Sequence, residues 1–137
     1  AFAPAADWGA ARIGQSIDAG ARFLQTQPCL NSGVLEKYAG RLVDLRVTHR
    51  ASLIVEIPLL ATAEIAAAYK KNNPAALIPD DAVRQMHEAA DERAMGIELC
   101  ARMLAVAQET PGVSGANIRF SGPASQAVAA LLAAGGA

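Results

Sequence analysis

The segment that most limits how this chain can fold is a short, mostly apolar run at residues 52–58, SLIVEIP. Several of its residues are β-branched, and consecutive positions are apolar, which is typical of a parallel strand buried on both faces. Pro58 is expected to close it, because proline has no N–H to donate. A buried strand needs parallel neighbours and covering helices, so the run predicts an α/β fold.

Helical and strand patterns alternate along the rest of the chain. Two more strands are predicted at residues 22–27 and 113–120. Apolar residues recur at helical spacing before, between and after the strands. Strands that alternate with helices indicate βα units and a parallel sheet. The predicted helices cover residues 8–18, 34–45, 61–71, 80–90, 91–108 and 124–134.

Local signals mark several helix ends. Gly20 is placed to take the left-handed conformation after the first helix. Thr62 is a candidate N-cap, since its hydroxyl can accept a hydrogen bond from a free backbone N–H. Asp80 and Asp81 favour the start of a helix, where the helix dipole is positive.

The composition excludes several classes of function. The 137 residues have the length of one ordinary domain, and 53% hydrophobic with 18% charged residues is typical of a globular protein. The net charge is −1 and aromatic residues make up 4%, so we expect neither a nucleic-acid surface nor a membrane partner. Neither a membrane-spanning run nor a secretory signal is seen, so a cytoplasmic location is expected.

The chain has two cysteines, Cys29 and Cys100, and two histidines, His49 and His87. The cysteines could pair, but reduced thiols are the favoured interpretation. Cys29 follows a strand end and could be a nucleophile if a histidine approached it. No His or Cys lies at metal-ligand spacing, so no metal site is predicted.

Two polar residues in the strand regions each have a functional and a structural interpretation. Gln27, at a strand end, could contact a ligand or bond to the local backbone. Glu56 lies inside an apolar strand, where a carboxylate is costly unless it is paired. It could be an acid or base with a raised pKa. The interpretation favoured here is an inward residue that pairs with an arginine or reaches the solvent.

Three segments, in order, resemble the carboxyl-terminal half of the methylenetetrahydrofolate reductase barrel. Residues 18–27, DAGARFLQTQ, are similar to the family's DAGA…TQ at its sixth strand. Residues 56–59, EIPL, and later residues 78–80, IPD, resemble its seventh strand and the start of an extra helix. Residues 96–99, GIEL, and 111–116, PGVSGA, resemble its GIE helix and the entry to its eighth strand. The resemblance covers nearly the whole chain.

This resemblance implies a partial (βα)8 TIM barrel. Residues 1–137 would form a single segment with strands six to eight, their helices and one extra helix. It implies an oxidoreductase of one-carbon metabolism that reduces 5,10-methylenetetrahydrofolate to 5-methyltetrahydrofolate, with NADH or NADPH as donor and FAD as carrier. The family's catalytic glutamate and its flavin-facing aspartate belong to the amino-terminal half, so no catalytic residue is assigned here.

The resemblance also implies binding residues at the carboxyl ends of the strands, where barrel chemistry takes place. The amide of Gln27 is expected to contact the folate ring, because it can both donate to and accept from a pterin edge. The region of Leu60 and Thr62 is expected to pack on the stacked ligands. The residues expected at the flavin are Arg12, Gln15 and Ser16.

Some family features are missing from this sequence. The family carries Asp, Asn, Arg and Lys at its flavin-anchoring helix, whereas here only Arg12 is charged among the corresponding Gly9, Arg12, Gln15 and Ser16. An arginine that some relatives carry after the eighth strand falls on Pro123.

Three strands alone would leave two open sheet edges and an apolar inner face. We therefore expect another polypeptide, or a second copy, to complete the barrel. Reduced folate is the expected small-molecule partner. Two alternatives stay open: a non-catalytic or flavin-free folate-binding or scaffold subunit of a larger complex, and an α/β domain that shares only the barrel architecture.

Overall fold

The computed structural model describes residues 10–135, and the predicted beginning of the first helix at Trp8 lies outside them. The alternation of helices and strands is confirmed: the chain is an α/β protein with a three-stranded parallel sheet. In chain order, the elements are α1 (Ala10–Asp18), β1 (Phe23–Gln25), α2 (Ser32–Asp44), a 3-10 turn (Val47–His49), β2 (Ser52–Leu59), α3 (Ala63–Asn72), α4 (Asp80–Glu88), α5 (Glu92–Glu109), β3 (Val113–Phe120) and α6 (Ala124–Ala133).

The three strands lie side by side in sequence order, with β2 in the centre. Both pairings are parallel; Leu24 lies opposite Leu53, and Ile57 lies opposite Ile118. Ser114 forms a bulge: Val113 pairs with Leu53 and Gly115 with Ile54, so β3 has one extra residue at this point. The Ser114 hydroxyl accepts a hydrogen bond from Leu53 N at 3.2 Å. The sheet formed by residues 10–135 is open, with β1 and β3 at its edges.

Two prolines changed the strand ends from those predicted. β1 ends at Gln25 rather than at residue 27. Pro28 has no N–H to donate to β2, so the regular hydrogen-bond ladder stops before it. The next hydrogen bond to β2 comes from Cys29 N, which donates to Glu56 O at 2.9 Å. Pro58 does not close β2, which continues to Leu59. The N–H of Glu56 points toward β1. The nitrogen of Pro58, two residues later, faces the same side of β2 but lies beyond the end of β1. No hydrogen bond of the ladder is therefore lost at Pro58.

One face of the sheet carries the main core. Val55, Ile57 and Leu59 pack against buried side chains of α5 and α6, including Cys100 and Met103. A second cluster joins α1 and α2 to the amino-terminal half of β2. A third cluster joins α3 and α4. The second cluster contains Ile13, Ile17, Tyr38, Leu42 and Leu53, and the third contains Leu60, Ala63, Ala66, Ile78, Ala82 and Met86.

The opposite face of the sheet is more polar than the apolar inner face that the sequence predicted. Glu56 and Pro58 on β2 are buried on this side. Gln25 on β1 and Arg119 on β3 share the face and are exposed. We call it the open face of the sheet.

Most of the predicted helix-end signals are confirmed. Gly20 has φ +111°, a conformation that glycine adopts without strain. Thr62 is the N-cap of α3, with its hydroxyl accepting from Ile65 N at 3.1 Å. Asp80 and Asp81 occupy the first turn of α4. None of the helices described within residues 10–135 has both the length and the hydropathy needed for a bilayer crossing.

Candidate functional site

A buried carboxylate on the open face is the centre of the candidate site. The Glu56 side chain is 5% exposed. Its Oε2 accepts a hydrogen bond from Gln25 Nε2 at 2.5 Å, and its Oε1 accepts one from Arg119 Nε. The prediction that Glu56 pairs with an arginine is therefore confirmed. The partner offsets the cost of burying the charge.

Strand register brings these three residues together. Gln25 lies opposite Ile54, and Arg119 lies opposite Pro58. Because side chains two residues apart on a strand point to the same side, both flank Glu56 diagonally on the open face. Each of the three strands thus contributes one side chain to the cluster.

A tyrosine from α3 interacts with the same charges. Burial raises the pKa of Tyr69, while the charge of Arg119 lowers it and that of Glu56 raises it. The hydrogen bond and the negative charge of Glu56 raise the pKa of Arg119. We refer to Gln25, Glu56, Tyr69 and Arg119 as the Glu56 cluster.

Gln27 lies at the carboxyl end of β1, beside the cluster but not in the same role as Gln25. The buried Thr26 connects them: its Oγ1 accepts from Glu56 N at 3.0 Å and donates to Gln27 O at 2.9 Å. The Gln27 side chain is exposed. The sequence analysis singled out Gln27 at this strand end but missed Gln25. Residues two apart on a strand point to the same side, so the spacing of Gln25 and Gln27 could have indicated a second amide on that side.

The other residues expected at the substrate lie just after β2. Leu60 is buried in the third apolar cluster with α3 and α4. Thr62 is half-buried, and its hydroxyl caps α3. Both residues therefore contribute to the structure of the loop that leaves β2 at its carboxyl end.

The residues expected at a flavin are all on α1 and exposed. Ser16 Oγ donates to Arg12 O at 3.0 Å, one helical turn earlier. α1 packs through Ile13 and Ile17 near Leu53. The structure thus fixes this helix beside the amino-terminal half of β2, whereas Glu56 lies three residues further along that strand.

The cysteines are free and buried, so they form no disulfide. Burial raises the pKa of each thiol from 9.0 to about 11. Cys29 Sγ donates to Asn31 O at 3.3 Å. A nucleophilic cysteine needs a lowered pKa and access, and Cys29 has neither. His49 and His87 are exposed.

A groove of about 580 Å³ follows the free edge of β3 between α5 and α6. Leu104, Phe120 and Leu131 contribute to its apolar lining. In the part of the chain that the structure describes, no three His, Cys, Asp or Glu side chains are grouped so that they could bind a metal ion.

Comparison with known proteins found no match, whether to a protein-family model, to a curated protein or to a solved structure. The side chains at the carboxyl ends of the strands and on the open face are the features of the chain that bear on its function. There the structure supplies an exposed amide, Gln27, and a buried carboxylate paired with an exposed guanidinium.

Proposed function

We propose that this chain is the carboxyl-terminal half of a methylenetetrahydrofolate reductase-like barrel, with β1, β2 and β3 as strands six, seven and eight. The observation that supports it best is the consecutive parallel order of the strands, with the exposed Gln27 at the carboxyl end of the first. A barrel requires consecutive neighbours, whereas a doubly wound sheet reverses its order at a switch point.

In this proposal, Gln27 binds the pterin ring of a reduced folate. A carboxamide offers two N–H donors and a carbonyl acceptor, which suits a ring edge that carries both kinds of group. Its exposed position at the carboxyl end agrees with the place where βα barrels bind ligands. Reduction of the methylene group with NAD(P)H belongs to the complete barrel.

The residues assigned to FAD do not fit a flavin well. A pyrophosphate and a ribityl chain need charged and polar anchors, but only Arg12 is charged among the three candidates on α1. Ser16 already donates to the Arg12 carbonyl. No flavin chemistry is therefore assigned to this chain, and the role proposed for it is folate binding. The same observation favours the second candidate, a flavin-free folate-binding subunit of a larger complex.

The proposal includes a partner that completes the barrel. β1 and β3 have no strand on their outer sides within residues 10–135, and unprotected edges invite pairing with another chain. The exposed Phe23 on β1 and Phe120 on β3 add apolar surface at the two edges. Two free thiols are typical of a reducing compartment, which supports a cytoplasmic location.

We expect light scattering coupled to gel filtration to give a mass of at least twice the 14.1 kDa of this chain, or a complex with a second polypeptide. The physical reason is the pair of open edges. A stable, well-behaved monomer over a wide range of concentration would contradict the partner proposal.

Replacing Gln27 with alanine is expected to weaken binding of 5-methyltetrahydrofolate about tenfold, the effect of losing about one to two net hydrogen bonds. Isothermal titration calorimetry on the purified chain, alone or with its co-purified partner, measures this change. Gln108→Ala is the matched control, because Gln108 is an exposed glutamine on α5. Equal affinities for the wild type and Gln27→Ala would contradict the assignment of Gln27.

The absorption spectrum of the same sample separates the two candidate functions. A flavin spectrum that bleaches on addition of NAD(P)H supports a reductase. A colourless sample that binds the reduced folate supports the binding subunit. Absence of folate binding, whether the sample contains flavin or is colourless, would overturn the proposed function.

A further inference from the structure

Arg119 has unused hydrogen-bonding capacity on the open face. Its side chain is 60% exposed, and only Nε is bonded, to Glu56. Within residues 10–135, the terminal nitrogens of Arg119 have no hydrogen-bond partner. A guanidinium carries five N–H donors in a rigid plane, so four remain for a ligand.

The cluster also fixes the direction of this guanidinium. Glu56 is buried, and Gln25 constrains its second oxygen at 2.5 Å. A bond from Nε to such an anchored carboxylate restricts rotation of the arginine head group. Less rotational freedom is then lost when a ligand binds, which favours affinity. The charges of Arg119 and Glu56 both act on the pKa of Tyr69 of α3.

We propose that the Glu56 cluster is a carboxylate-binding site, in which the terminal nitrogens of Arg119 contact the ligand and Glu56 acts as a positioning residue. The planar fork of a guanidinium matches the two oxygens of a carboxylate. The cluster contains one cation and one anion, so its net charge is zero. A bound monoanion makes the net charge −1, whereas a phosphate dianion makes it −2, which is costlier at a partly buried site. This site goes beyond the proposed function and does not depend on Gln27. Arg119 is the last residue but one of β3, so it lies at the carboxyl-end mouth that a completed barrel would leave open.

Benzoate, a planar monocarboxylate, is the probe. NMR detection of the arginine Nε–Hε signals follows Arg119 in every form that keeps this residue, and isothermal titration calorimetry measures benzoate affinity in all variants. We expect a saturable shift of the Arg119 signal. Arg119→Gln should abolish binding, and Arg119→Lys should weaken it about tenfold because an ammonium lacks the fork. Arg102→Gln is the control, since Arg102 is an exposed arginine that pairs with Glu98 on α5.

Two variants of Glu56 separate positioning from charge. Glu56→Gln keeps an oxygen acceptor for Arg119 Nε and removes the negative charge. We expect it to bind benzoate several-fold more tightly than the wild type. Glu56→Ala removes the acceptor as well, so it should bind more weakly than Glu56→Gln.

Several results would overturn the inference: no saturable shift with benzoate, wild-type binding by Arg119→Gln, equal affinities of the two Glu56 variants, or tighter binding of inorganic phosphate than of benzoate. Thermal unfolding checks that each variant is folded. If Glu56→Ala does not fold, Glu56→Asp takes its place: it keeps the charge but draws the acceptor away from Arg119 Nε. Positioning predicts weaker benzoate binding by Glu56→Asp than by the wild type, whereas a purely structural ion pair predicts no change. Folate binding by Gln27 is measured separately and is unaffected by any of these outcomes.

Discussion

Replacing Gly96 with alanine should lower the free energy of unfolding by about 3 kcal/mol, near the upper end of the usual range for overpacking a core. Gly96 is buried in α5 where the helix passes the chain leaving β2. A Cβ atom at this position would lie 1.8 Å from the carbonyl oxygen of Leu60. The contact is with backbone, so no side-chain rotation relieves it. The helix and the connection after β2 would have to separate.

Gly40→Ala is the matched control for Gly96→Ala. Gly40 is exposed in α2, and nothing lies within 4 Å of the position its Cβ would take. Alanine there should stabilise the chain by about 0.5–1 kcal/mol, because glycine loses more conformational freedom in a helix. Urea unfolding monitored by circular dichroism measures both variants. Similar midpoints for the two would contradict the predicted close approach of α5.

The thiols of Cys29 and Cys100 should react with iodoacetamide about one hundredfold more slowly in the folded chain than in the unfolded chain at pH 8. Burial raises each pKa from 9.0 to about 11, and two units of pKa correspond to about a hundredfold less thiolate. Mass spectrometry after timed quenching measures the modification. Each single Cys→Ser variant identifies which thiol reacts, and rapid labelling of either one in the folded protein would contradict its burial.

The same thiols predict how stability depends on pH. The folded chain binds the thiol protons more tightly than the unfolded chain, so this contribution to stability is fully present below about pH 9. It is lost as the pH rises from about 9 to about 11, since the unfolded thiols ionise first. Urea midpoints measured across this interval should fall. Variants in which both cysteines are replaced by alanine should show a smaller decline.

The order and type of the elements followed from local patterns. The apolar run at residues 52–58 predicted the central strand, and β3 has the predicted bounds, Val113–Phe120. Thr62 and Gly20 marked helix ends, because caps and left-handed turns depend on a few neighbouring residues. The end of β1 was predicted two residues too late, since it depends on how Pro28 meets a partner strand. The same reason explains why β2 continues through Pro58.

The sequence alone determined that Glu56 needed a partner, because an unpaired carboxylate inside an apolar strand is costly. It did not determine which residues pair with it. Gln25 is 31 positions away and Arg119 is 63 positions away. Only the tertiary structure decided this, since the register of three parallel strands depends on how the helices pack between them. It also showed why position 96 requires glycine, which depends on the distance between α5 and Leu60, a contact that no local pattern encodes.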